Sequence, residues 1–130
     1  VNKPVEIGET GWASVCNELY GRNGSKAVDE YKSAQYYKLM REWTNKEKIS
    51  CFYFEAFDEN WKNSGNALHS ENHFGLIDMQ SQAKFVIWNL VDDGVFSGLM
   101  RNGKPITKTY NGNEQSLWAD VVAPDKILKN

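Results

Sequence analysis

The chain has 130 residues, a formal net charge of −2 from 15 Lys and Arg against 17 Asp and Glu, and 41% hydrophobic and 13% aromatic residues. That is the size of one domain with enough apolar side chains to bury a core. Lys and Arg are scattered rather than striped and the isoelectric point is near 5.7, which leaves no electrostatic footprint for nucleic acid or an anionic membrane, and no apolar run approaches the ~20 residues that span a bilayer.

The chain starts with Val1 rather than Met and runs almost at once into a strand with no preceding cap, turn or targeting segment, so it reads as the C-terminal part of something longer. In Lys3–Trp12, KPVEIGETGW, period-2 parity puts Val5, Ile7 and Glu9 on one face, so a carboxylate ends an apolar strand. Gly8 and Gly11 flank it without Cβ atoms, which lets backbone or ligand come close, and Trp12 follows as a flat apolar surface. An acid, a hydroxyl and a ring at one strand tip suit a sugar-cleaving site; the competing reading is a solvated Glu in an ordinary turn.

A polar, Gly- and Asn-rich stretch leads to Ser25, which can N-cap a helix running to about Lys46. Its apolar stripe is Tyr36, Leu39, Met40 and Trp43, and this stripe is expected to pack on a neighbour. Ile49–Phe57, ISCFYFEAF, then reads as a strand that is apolar on both faces apart from Glu55. Strand, helix, strand is a βαβ unit, which makes parallel pairs and collects functional residues where strands end. Glu9 and the pair Asp58-Glu59 therefore fall on one edge.

A long polar loop, Asn60–Asn72, is followed by a short FGLID segment and a helix from about Gln82 to Asp92 carrying Phe85, Val86, Trp88 and Leu90, which Gly94 can close in a left-handed conformation. Val95–Arg101 and Lys104–Tyr110 flank Asn102-Gly103, a strong hairpin-turn signal. Asn113 can cap a last helix, Glu114 to Val122, which Pro124 terminates. Residues 1–94 and the extension 95–130 are expected to form parts of the same domain.

Cys16 and Cys51 lie neither in a CxxC arrangement nor near a His at metal-ligand spacing, so neither zinc nor a redox motif is supported. They read as buried thiols, or as a pair if their geometry allows. His69 and His73 read as loop hydrogen-bonders, and no metal or organic cofactor is indicated. In the second cluster, Asp58, Glu59, Trp61 and Lys62 lie within five positions, with Glu71 and His73 on the same loop. Carboxylates and ammonium groups exchange hydrogen bonds with hydroxyls while indole rings cover the apolar faces of pyranoses, and Lys62 close to Glu9 would favour its ionised form. A charged surface loop is the alternative for such a run.

Three motifs in order carry a family resemblance. Ile7-Gly8-Glu9-Thr10-Gly11-Trp12 resembles the nucleophile motif of glycoside hydrolase family 17, the β-1,3-glucanases, a strand ending in Ser/Gly-Glu-Ser/Thr-Gly-Trp. Phe57-Asp58-Glu59-Asn60-Trp61-Lys62 is similar to that family's Phe-Asn/Asp-Glu-Asn/Pro-x-Lys segment, and Ser70-Glu71-Asn72-His73-Phe74-Gly75-Leu76 to its Ser-Glu-x-x-Phe-Gly-Leu segment. The resemblance covers roughly residues 3 to 90. It implies an α/β fold in which KPVEIGE and ISCFYFEAF are strands seven and eight of a (β/α)8 barrel, with the hairpin and terminal helix after Gly94 lying beyond the plant-type pattern. Such barrels carry their active sites at the carboxyl ends of the strands.

The resemblance further implies retaining hydrolysis of β-1,3-glucan oligo- or polysaccharide, with Glu9 as nucleophile, Trp12 as a ring-stacking platform, and Glu59, Trp61, Lys62 and Glu71 around the substrate. Tyr53 and Glu55, expected to share a strand face, would line the barrel mouth. Glu55 departs from plant members, which carry a small apolar residue there, and fits a bacterial-type branch. The family's acid/base Glu follows an Asn at the end of strand four, upstream of the matched strands, so this segment alone is expected to be inactive, and to fold only partly or aggregate. The same resemblance implies a secreted, periplasmic or cell-surface protein that is monomeric as the full enzyme. Two other readings stand beside hydrolysis: a β-1,3-glucanosyltransferase, in which a sugar hydroxyl replaces water as acceptor, and a noncatalytic glucan-binding module.

Overall fold

The structure is a computed structural model that describes residues 3–17 and 26–121. Its N-terminal half is the expected unit: strand β1 (Glu6–Thr10), helix α1 (Glu30–Glu47) and strand β2 (Ser50–Tyr53). The two strands pair in parallel with Glu6 opposite Ser50 and Ile7 opposite Cys51, and the register slips before Thr10 meets Tyr53. This is an α/β arrangement, as anticipated, although β2 ends at Tyr53 rather than running regularly to Phe57.

Helix α1 starts later than expected. Asp29 is its N-cap, accepting from the Lys32 N–H at 2.8 Å and leaving Ser25 outside the described residues. An Asp side chain satisfies an otherwise orphaned N–H at this position as well as a Ser does. At the other end Lys48 takes a left-handed conformation with φ of 55°. The helix does not bury the expected stripe: Ser33, Ala34 and Thr44 are its buried residues, while Leu39 and Trp43 are exposed. Of the stripe, Tyr36 packs through its ring on Trp12. Small residues face the sheet because the strand side brings the bulk there, with the Tyr53 ring edge-on against Tyr37 at 4.7 Å. The far side of β2 is open, with Phe52 64% exposed, so β2 is not covered on both faces within the described residues.

The core lies in the C-terminal half. Ile77, Ala83 and Ile87 are buried and packed by Leu76, Val86, Leu90, Val91, Phe96 and Ile106, each full burial of a branched side chain being worth about 1.5–3 kcal/mol. Gln82–Ala83, read from sequence as the start of a helix, is instead a short strand, β3. The helical segment begins at Phe85 as a 3-10 turn and continues as α2 (Trp88–Asp92). Gly94 follows with φ of 73°, as foreseen, and the Val95 N–H reaches back to the Leu90 carbonyl at 3.0 Å.

The Asn102-Gly103 hairpin is present with strands only two residues long, β4 (Met100–Arg101) and β5 (Lys104–Pro105), and both turn residues have positive φ. Strand β6 (Thr107–Lys108) then pairs in parallel with β3. Ile106 and Phe96 thus draw residues after Gly94 into the same core as Ile77. Asn113 caps α3 (Glu114–Ala119) by accepting from Ser116 N–H at 3.0 Å, while Val122 and Pro124 lie outside the described residues.

Candidate active site

Glu9 is exposed near the end of β1. Its neighbour Thr10 is hydrogen-bonded through its hydroxyl to the hydroxyl of Tyr36 on α1, and the register slip between Ile7 and Thr10 breaks the strict alternation expected to put Val5, Ile7 and Glu9 on one face. Trp12 is half-buried, its ring 5.2 Å from that of Tyr36 and its indole N–H donating to the Ala27 carbonyl at 2.9 Å. One side of the ring is therefore committed to α1. With Glu71, Ser70 and Phe74 the Trp12 ring lines a largely apolar cleft of about 280 Å³. Gly11 is needed here, because a Cβ would lie 2.0 Å from the Phe54 carbonyl oxygen; Gly8, by contrast, has open space beside it.

The second cluster assembles where β2 runs out. Lys62 Nζ lies 2.5 Å from Glu55 Oε1 and 3.0 Å from Glu59 Oε2, and 3.9 Å above the Phe54 ring. Burial pushes the Glu55 carboxyl up despite the adjacent ammonium, with Glu59 adding to the rise. The hydrogen bond from Lys62 holds Glu59 below the ordinary carboxylate range. Burial alone would lower Lys62, but the two carboxylates outweigh it and hold the ammonium above its usual value. Two carboxyl groups that share one ammonium are thus pushed in opposite directions. Trp61, 69% exposed, stands beside them. Phe54 and Phe74, with ring centroids 5.8 Å apart, link this cluster to the Trp12 cleft.

Two expectations are corrected. The Lys62 ammonium is engaged by Glu55 and Glu59, not by Glu9. Tyr53 does not share the Glu55 surroundings: its ring packs on Tyr37 and its hydroxyl is buried, on the α1 side of the sheet with Thr10, its register partner. The strand's regular pairing ends at Tyr53, so parity counted from sequence no longer holds two residues later.

What sequence reasoning missed is the frame under the loop. Asp58, adjacent to Glu59, is only 1% exposed. Its carboxylate accepts from Lys84 Nζ at 2.7 Å and from the Gly75 N–H at 2.8 Å, and lies 3.3 Å from His73 Nδ1. Lys84 is itself buried, and burial lowers its pKa against the opposing pull of Asp58. A Cβ on Gly75 would come 2.1 Å from Asp58 N, so this glycine lets the two ends of the loop touch. Across the loop, buried Asn72 donates to the carbonyls of Asn63 and Asn66, each at 3.2 Å, and accepts from Asn63 N–H at 3.1 Å. His73 reaches the Ala67 carbonyl through Nε2 at 2.8 Å, the loop hydrogen-bonding role expected of it. Cys16 and Cys51 are both free and half-buried. No helix among the described residues is long and apolar enough to cross a membrane.

No protein-family model matches the chain. It is 34% identical over 88 residues to a glucan 1,3-beta-glucosidase of Arthroderma benhamiae, a match covering 62% of this chain and 27% of that protein. Among solved structures, an endo-laminarinase from Formosa Hel1_33_131 is 59% identical and superposes over 100% of this chain and 34% of its own, with a TM-score of 0.93. An active-site mutant of a Rhizomucor miehei beta-1,3-glucanosyltransferase, solved with laminaritriose, is 27% identical over 65% of this chain and 29% of its own, with a TM-score of 0.53. The chain thus spans about a third or less of the length of these relatives. Identity across its whole length and a shared backbone make the chain similar to about a third of the endo-laminarinase, an α/β part of that larger structure.

Proposed function

We propose that the chain supplies strands seven and eight of a (β/α)8 barrel, and with them the nucleophile and one wall of the cleft of a retaining enzyme that hydrolyses β-1,3-glucan. The observation that carries this reading is the parallel β1–β2 pair ending in carboxylates on one edge, in a chain 59% identical to an endo-laminarinase. Glu9 attacks the anomeric carbon while a general acid, assigned by the family resemblance to a Glu upstream of β1, protonates the departing oxygen. The resulting glycosyl-enzyme ester is cleaved by water, which the same acid/base residue deprotonates, and configuration is retained. That chemistry needs the two carboxyl groups about 5–5.5 Å apart, so this reading assigns activity to a protein that carries the upstream Glu together with Glu9.

Glu55, Glu59 and Lys62 offer charged hydrogen-bonding partners to glucose hydroxyls, and Glu71 does so at the rim of the Trp12 cleft. Trp12 and Trp61 give apolar faces for pyranose rings. The exposed face of β2 at Phe52 is the side that the other barrel strands would cover. Because a glucan polymer cannot cross a membrane, the enzyme acts as a secreted, periplasmic or cell-surface monomer, which fractionation of the producing cells and light scattering of the purified protein check.

The likeness to a glucanosyltransferase supports a second reading, in which a sugar hydroxyl takes the place of water. Incubation of the full-length protein with laminari-oligosaccharides separates the two. Hydrolysis predicts only shorter products at millimolar substrate, and predominance of products longer than the donor would favour transfer. No product of either kind, with binding retained, would support a noncatalytic glucan-binding module.

A further inference from the structure

Resting on the reading of Glu59 as a substrate-binding residue, we propose that Arg101, in the hairpin after Gly94, is a positioning residue for Glu59. The carbonyl of Asp58 and the N–H of Glu59 belong to the same plane, and both ends of that plane are held. Arg101 Nη2 donates to the Asp58 carbonyl at 2.7 Å, while the Glu59 N–H donates to the Asn72 carbonyl at 3.2 Å. A peptide fixed at its oxygen and its hydrogen cannot rotate, so the direction in which Glu59 leaves the backbone is set from the extension on one side and the loop on the other.

The guanidinium is well placed to impose this. Its Nη1 donates to the Ile77 carbonyl at 3.3 Å and to the Asp78 carbonyl, and its plane lies 4.7 Å from the Phe57 ring. Phe57 and Ile77 form the bridge at which the site loop departs and returns. Arg101 is in turn fixed through its own carbonyl, which accepts from Ser81 Oγ at 2.7 Å. Three carbonyls on two chain segments call for a planar fork with several donors; a lysine ammonium on a flexible stem does not reproduce that pattern. The consequence at the site is that Glu59 holds Lys62 against Glu55, and a freed Asp58–Glu59 peptide releases that clamp.

The test uses the full-length protein with Arg101→Ala, Arg101→Lys, Glu59→Gln and the double variant Arg101→Ala/Glu59→Gln. Carbon-13 titration of the Glu59 carboxyl, assigned by its loss in Glu59→Gln, is expected to move up toward the ordinary carboxylate range in Arg101→Ala, and by less in Arg101→Lys. With laminari-oligosaccharide, Arg101→Ala is expected to lose about ten-fold in kcat/KM and to cost nothing further in the Glu59→Gln background, because both changes remove the same interaction. An unchanged Glu59 titration, or a loss that adds in full to that of Glu59→Gln, would overturn the inference. Should Arg101→Ala not fold, the Arg101→Lys titration decides alone, an unmoved Glu59 counting against. The titration requires no turnover, so it stands even if the unaltered protein does not hydrolyse laminarin, a result that would count against the proposed function instead.

Discussion

In the full-length protein, Glu9→Gln is expected to reduce laminarin hydrolysis by about four orders of magnitude or more while glucan affinity changes little. The amide is nearly isosteric with the carboxylate and keeps one acceptor oxygen while losing the charge, so what disappears is the nucleophile, an interaction realised only as the glycosidic bond breaks. Steady-state kinetics paired with calorimetric binding to laminari-oligosaccharide check both halves. Glu9 is exposed at the strand tip, so the variant is expected to keep the fold, which circular dichroism tests directly. Turnover within ten-fold of the unaltered enzyme would remove Glu9 from the nucleophile's role.

The second large effect is on stability. Lys84→Met leaves the buried Asp58 carboxylate without its ammonium partner, with only the Gly75 N–H and the His73 ring against it. Removing one member of a buried pair strands the other charge, and the expected cost is about 3–5 kcal/mol in urea unfolding. Replacing both members, Lys84→Met with Asp58→Leu, is expected to recover a large part of that loss, since the desolvation of two ions is no longer incurred. Because this pair anchors the loop that carries Glu59, Trp61, Lys62 and Glu71, the single variant should also weaken glucan binding. A Lys84→Met protein as stable as the unaltered one would show that the ion pair contributes nothing net.

Signals carried by a few consecutive residues were legible before the fold was known. The strand tip at Glu9, the Asn102-Gly103 turn, the Gly94 helix end and the Asn113 cap all depend on local backbone geometry, which residue type largely determines. Choices decided by distant partners were not. The buried face of α1 turned on the bulk of Tyr53 and Trp12 across the interface, so Ser33, Ala34 and Thr44 won over the more apolar Leu39 and Trp43. Two residues of strand at Gln82–Ala83 look like the start of a helix until Thr107–Lys108 arrives to pair with them. Asp58 and Glu59 read as one acidic cluster, yet one turns inward to Lys84 and the other outward to Lys62. Nothing in the spacing of Asp58 and Lys84, 26 residues apart, announces their pairing.

A covalent bond between Glu9 and sugar is the central proposed step, and mechanism-based trapping tests it most directly. A 2-deoxy-2-fluoro laminari-oligosaccharyl fluoride slows both steps but hydrolysis of the ester more, so the glycosyl-enzyme should accumulate in the full-length protein. Peptide mass spectrometry is predicted to find the added glycosyl mass on Glu9. A label on any other carboxylate, or an untrapped enzyme that releases product of inverted configuration, would contradict the account.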